Sequence, residues 1–310
     1  MALGVRDLLD KRLVFVTGKG GVGKSTIALS LGLAGAARGK RTIVCEIASQ
    51  ENASRVFRRA QVGFNEVELT PGLWGISIDP DESMREYLLL QLKVKAARDL
   101  LMRSKLFLYL AQAAPGLKEL VTIGKIWELT LPDRKVKGME PYDLVIVDAP
   151  ATGHGIGFLQ TPRTFAEIAR VGPIHNQAST LDAQITNHDE TGVAIVALPE
   201  EMPVNETASL ETQLIDDVGV SVDRLYMNAL YPELFTDQEA ETLAGLHEGA
   251  TGATRAAIAA ATSEHRRATV QHAQLERLKE LTRTPVTELP FIFKPQLDLG
   301  DFNDLAELTG

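Results

Sequence analysis

The chain has 310 residues, 45% hydrophobic and 24% charged, which is enough apolar surface for a packed core and excludes compositional disorder. Lys and Arg number 32 against 41 Asp and Glu, a net charge of −9 that argues against nucleic acid or anionic lipid as a main partner. The single cysteine, Cys45, excludes an intrachain disulfide and any CxxC zinc or iron–sulfur site within one copy, and points to a reducing compartment.

The opening segment MALGVRDLLDKR mixes charges among its apolar residues and has no h-region before a cleavage site, so a cytoplasmic location is expected. No integral membrane segment is expected either, since the longest apolar candidate, Thr26 to Ala37, falls short of the roughly 18 residues of a span. Strands are predicted over Arg12–Thr17, Arg41–Ile47, Leu73–Ile78, Tyr142–Val147, Val193–Leu198, Arg224–Met227 and Val286–Phe293. Their near-continuous hydrophobicity, as in LVIV before Asp148, suits strands covered on both faces and joined by right-handed helical crossovers, hence a mostly parallel sheet. Between residues 81 and 135 the pattern is helical, interrupted at Pro115-Gly116, and too long for a simple crossover; it predicts a helical subdomain inserted into a single domain spanning 1–310. Further helical stretches are expected over Gly155–Asn187 and Thr236–Leu281.

Between the first strand and its helix lies Gly18-Lys19-Gly20-Gly21-Val22-Gly23-Lys24-Ser25-Thr26. Glycines let a backbone bend round a triphosphate and aim successive N–H groups at its oxygens, with the positive end of the following helix behind them. Lys24 is placed to hold the β- and γ-phosphates and Ser25 to ligate Mg²⁺. Gly18, Gly20 and Gly23 also satisfy a dinucleotide GxGxxG, with Glu46 where a ribose-binding acid would fall. A dinucleotide has no use for Lys24-Ser25-Thr26, whereas a triphosphate with its metal needs a cation and a hydroxyl there, so the triphosphate reading leads. The expected fold class is therefore α/β: a three-layer, mostly parallel-sheet P-loop NTPase with a helical insertion. Asp148, closing a buried-type strand, is the candidate Walker B carboxylate for the metal; the alternative is an acid that only caps the next turn.

The loop resembles the deviant Walker A class GKGGxGK[ST], and the segment Asp148-Ala149-Pro150-Ala151-Thr152-Gly153-His154 resembles the DTAPTGH switch II of the arsenite-pump and tail-anchored-protein-targeting ATPases, with Ala-Pro-Ala replacing Thr-Ala-Pro. Ile78-Asp79-Pro80, Pro115-Gly116 with Glu119, Leu198-Pro199-Glu200 with Asn205-Glu206-Thr207, and Met227-Asn228-Ala229 resemble later segments of the same family, so the likeness runs from Leu13 to about Pro290. What the resemblance implies is an ATPase using ATP and Mg²⁺, dimeric with an identical chain or a paralogue. In it, Lys19 reaches the partner's nucleotide, Asn228 reads the adenine edge and His154 senses nucleotide state. Where the family has an Asp-Pro-Ala switch I, this chain has Glu46-Ile47-Ala48; Glu46 is then either the residue that orients the attacking water or an acid that fixes its loop.

Cys45 alone cannot supply the thiolate cluster of arsenite binding, and the CxxC of a zinc-bridged dimer is missing. His265 and His272, seven apart, have the wrong spacing for a shared metal. The insertion is rich in apolar residues, among them Met84, Leu88, Leu89, Leu92, Leu100, Leu101, Met102, Leu106, Phe107, Leu108 and Leu110. They serve either as a subdomain core or, as the resemblance implies, as a surface for a hydrophobic protein client. The competing function is a partitioning or division-site type of positional ATPase acting mainly as a scaffold. It usually carries a basic face or cationic tail, whereas the segment DLGDFNDLAELTG is acidic.

Overall fold

The computed structural model describes residues 7–47, 52–58, 62–91, 116–134 and 140–310. Strand β1 (Leu13–Gly18) leads through the glycine loop into α1 (Lys24–Ala37), and β2 (Thr42–Ile47) is followed by a short α2 (Asn52–Val56), β3 (Val67–Thr70) and β4 (Leu73–Ile78). Helices α3 (Pro80–Gln91) and α4 (Leu117–Thr130) precede β5 (Leu144–Asp148), α5 (Thr152–Ala169), α6 (Pro173–Ile185), β6 (Thr191–Ala197) and α7 (Glu201–Gln213). The chain continues through β7 (Val222–Leu230), α8 (Asp237–Leu246), α9 (Gly252–Leu281) and β8 (Val286–Pro290) to α10 (Leu299–Thr309).

The eight strands form one sheet in the order β3-β4-β2-β5-β1-β6-β7-β8, parallel throughout except for the β3–β4 edge pair. This is the expected α/β P-loop NTPase architecture. Each central strand is apolar on both faces because each face carries helices. Leu13, Phe15, Ile43, Cys45, Val145 and Val147 pack into one core with Ile123 and Ile126 of α4 and Phe158 and Leu159 of α5. The alternate residues Val14, Val16, Val44, Leu144 and Ile146 pack into a second core with α1 and with Phe302 and Leu305 of α10. That alternation puts Glu46 and Asp148, two residues beyond Val44 and Ile146, on the α1 side. Strand β3 has no counterpart in the sequence-based expectations. It is four residues long, buries only Leu69 and pairs antiparallel with β4 across the Pro71-Gly72 turn, so it offers too short a run for alternation to register.

Helices α3 and α4 are zipped together by Lys125–Glu86 at 3.0 Å and Lys118–Asp81 at 2.9 Å, with Met84 packed on Val121 between them. The Tyr87 hydroxyl donates to Gln177 Oε1 at 2.8 Å, fastening α3 to α6. Of the apolar residues expected to build the insertion, Leu92 to Leu110 lie outside the described residues. Where the chain returns to the sheet, the buried Arg134 guanidinium donates to Glu128 at 2.9 and 3.0 Å and to Glu66 at 2.6 Å, and Tyr142 adds a 2.7 Å bond to Glu66. Among the described residues no helix is long and apolar enough to cross a membrane.

Candidate functional site

The C-terminal ends of β1, β2 and β5 converge on a cavity of about 400 Å³ lined by Gly21, Gly23, Lys24, Ser25, Thr26, Asn52, Ala149 and Ala151. The loop that forms its floor cannot be built without glycine at two places. Gly18 has φ +145° and a Cβ there would lie 2.3 Å from the Val196 carbonyl; Gly23 has φ +98° and a Cβ there would lie 2.3 Å from Asn228 Nδ2. Helix α1 then starts at Lys24 with no side-chain cap, so its first N–H groups and positive dipole end face the cavity. Val22 is buried beneath the loop, whereas Gly20 and Gly21 are exposed at its crest.

Two acids stand side by side above that floor. Glu46 and Asp148 are register partners on adjacent parallel strands and both are buried, at 1% exposure. Burial, with the Asp148 charge beside it, pushes the Glu46 carboxyl up to about 7, against the pull of the Ala53 N–H that donates to its Oε1 at 3.0 Å. Burial also raises Asp148, opposed by the Ser25 hydroxyl that donates to Oδ2 and by Lys24. Burial lowers Lys24, and Asp148 counteracts it; the Lys24 ammonium donates to the Lys19 carbonyl at 2.9 Å. Glu46 Oε2 and Asp148 Oδ1 are buried without a hydrogen-bond partner among the described residues. Two orphaned carboxylate oxygens beside a serine hydroxyl suit a hard cation carrying its own waters, and a phosphate-bound Mg²⁺ is the ion whose chemistry fits such a set.

Lys19, at the loop's edge, forms a 2.8 Å ion pair with Glu206 of α7, both side chains being 38% exposed. Asn228 reaches the loop from β7, its Nδ2 donating to the Val22 carbonyl at 2.9 Å. It is aimed there by a bulge: pairing with β8 slips between Met227 and Leu230, and Ala229 adopts φ +61°. Thus Lys24, Ser25, Glu46, Asp148 and Asn228, scattered over more than 200 positions, are gathered round one loop, while Lys19 points away to Glu206. The side chain of His154 lies outside the described residues.

Sequence reasoning missed Asn52, which lines the cavity and donates from Nδ2 to Ser25 Oγ at 3.2 Å. It belongs to no spaced motif, and only the return of α2 to the loop brings it in.

Residues 11–178 match the family model described as anion-transporting ATPase. The chain is 27% identical to the ATPase BagA of Mycobacterium tuberculosis over 318 aligned positions, covering 96% of this chain and 92% of that protein. It is 31% identical to ATPase get3 of Schizosaccharomyces japonicus over 60% of this chain and 58% of the relative. Identity to the arsenical pump-driving ATPase of Acidiphilium multivorum is 25%, over 73% of this chain and 41% of that protein.

Proposed function

The chain belongs to the anion-transporting ATPase family, and from that premise we propose that it hydrolyses ATP with Mg²⁺ as a nucleotide-dependent dimer, either of identical chains or with a paralogue. The observation that carries the reading is that Lys24 and Ser25 line the cavity at the N-terminus of α1, with the buried Asp148 bonded to Ser25 and Glu46 paired beside it. Loop N–H groups and Lys24 bind the phosphates, Ser25 and Asp148 hold Mg²⁺ and its waters, and Asn228 reads the adenine edge. Mg²⁺, when bound, neutralises charge on the phosphate oxygens. Glu46, with one oxygen engaged by Ala53 and the other without a donor, orients the attacking water. The two roles weighed for this acid are compatible, one for each oxygen.

Lys19 acts in trans. It leaves Glu206 when a second subunit arrives and supplies a cation to the phosphates of that subunit's nucleotide. The protein is then a cytoplasmic switch whose nucleotide state is passed from the carboxylates to a helical subdomain at 81–135 within the single domain. An apolar protein segment is the client we assign to that subdomain. Outside that subdomain, Ile168, Val171 and Ile174 at the α5–α6 turn are 73%, 81% and 47% exposed and add apolar surface.

Size-exclusion chromatography with light scattering, run without nucleotide, with ADP and with a non-hydrolysable ATP analogue, tests the reading alongside phosphate release. Doubling of mass with the analogue, abolished by Lys19→Ala, is the expected result. A mass indifferent to nucleotide would remove the trans role of Lys19, and absence of phosphate release would remove the ATPase.

A further inference from the structure

A second cavity, of about 480 Å³, opens at the other end of the sheet, where β7 and β8 begin; Asp7, Leu8, Arg224, Pro285, Thr287 and Leu308 are among its lining residues. Strand pleating decides what faces it. Arg224 and Tyr226 lie two apart on β7, and Thr287 of β8 is the register partner of Tyr226, so all three project from one face of the sheet. Tyr226 is buried there, and its hydroxyl donates to the Thr309 carbonyl at 3.0 Å, which seats the last turn of α10 on that face. The turn Leu8–Asp10 brings in Asp7, whose Oδ1 accepts from the Leu9 N–H at 3.1 Å.

The cavity has two electrical poles. The Arg224 guanidinium and the Thr287 hydroxyl line it without a hydrogen bond or ion pair among the described residues. Asp7 stays below the usual carboxylate range in spite of its burial, held there by its 2.6 Å bond from Arg38 and by the charges of Arg38 and Arg224. A lone anion on Arg224 meets the field of that acid, and a lone cation on Asp7 meets the guanidinium. A molecule carrying both charges satisfies each pole. Leu8, Pro285 and Leu308 add apolar wall beside them, the last 48% exposed.

We infer that this cavity is a binding site for a small zwitterion, an α-amino acid with an apolar side chain. Its carboxylate sits on Arg224 and Thr287, its ammonium faces Asp7, and its side chain lies along Pro285 and Leu308. The site stands at the strand ends opposite the phosphate loop and does not depend on the ATPase reading.

Calorimetric titration of the whole chain tests it with three probes: L-leucine, isocaproate, which is leucine without its ammonium, and isoamylamine, which is leucine without its carboxylate. Leucine should bind, and each half-charged analogue should bind at least roughly tenfold more weakly, the weight of a hydrogen-bonded charge. Arg224→Gln should weaken leucine by a similar factor. Thr287→Val, which keeps the shape and removes the hydroxyl, should weaken it about threefold and serves if the arginine variant does not fold. No heat with leucine at millimolar concentration, equal binding of either analogue, or leucine binding undiminished by Thr287→Val and by a folded Arg224→Gln overturns the site.

Discussion

Glu46 places a buried carboxyl next to another, and the consequence is a dependence of stability on pH. Its folded pKa, raised from 4.5 to about 7, means that the folded chain binds the proton more tightly than the unfolded one. The contribution is fully present below about 4.5, declines as pH rises through the folded value and is flat above it. The raised Asp148 works in the same direction. Protein free of metal and nucleotide should therefore melt several degrees lower at pH 7.5 than at pH 5.5, the Glu46 share having an upper bound of about 3 kcal/mol. Glu46→Gln should shrink that difference; an identical drop in wild type and variant would mean that other groups set it. A second residue-scale strain sits at Ala229, whose left-handed backbone turns Asn228 toward the loop. Ala229→Gly should be neutral or mildly stabilising. Ala229→Val should cost on the order of 2 kcal/mol in urea unfolding, because a β-branched side chain resists positive φ. The loop residues were legible because they are contiguous in the chain and each glycine and cation answers a demand of a phosphate. The Lys19–Glu206 pair, the bulge at Ala229 and the reach of Asn52 were not, since each depends on contacts made by distant elements.

Among the elements, the return of the chain from α4 toward β5 is held by a buried polar cluster at Arg134. Arg134 is 8% exposed and is ringed by Glu66, Glu128 and Tyr142, its guanidinium donating to two carboxylates and to the Glu140 carbonyl. Removing it takes the guanidinium from two buried acids, leaving Glu66 the Tyr142 hydroxyl at 2.7 Å and Glu128 the Lys125 ammonium at 3.7 Å. Arg134→Ala should thus destabilise by about 3–5 kcal/mol in denaturant unfolding, and Glu66→Gln by less; a loss under 1 kcal/mol would show that water replaces the guanidinium freely. None of this network stands out in the sequence, where Glu66, Glu128 and Arg134 look like ordinary surface charges. The seven expected strands, by contrast, were visible as short apolar runs because burial on both faces removes any need for polar alternation. Their ends were less so: β7 extends from Val222 to Leu230, beyond Arg224–Met227 at both sides, through Val222, Asp223, Asn228 and Ala229, which are only partly covered.

At the scale of the whole molecule, the sheet order sets β1 between β5 and β6, and β5 between β1 and β2, so the strands that carry the site are interior ones. Edge fraying, which begins at β3 and β8, leaves them untouched. The lone thiol of Cys45 belongs to this interior: it is on β2, flanked by β4 and β5, 0% exposed, and burial holds its pKa above the ordinary range. A disulfide-exchange reagent should leave it unmodified on the timescale of mixing and label it only as fast as the sheet itself parts; prompt labelling of native protein would contradict that placement. Because nature supplied just one such group, and seated it a single residue from Glu46, the unaltered chain carries its own stopwatch: occupancy of the neighbouring cavity by any small molecule should lengthen the lag before sulfur becomes reachable.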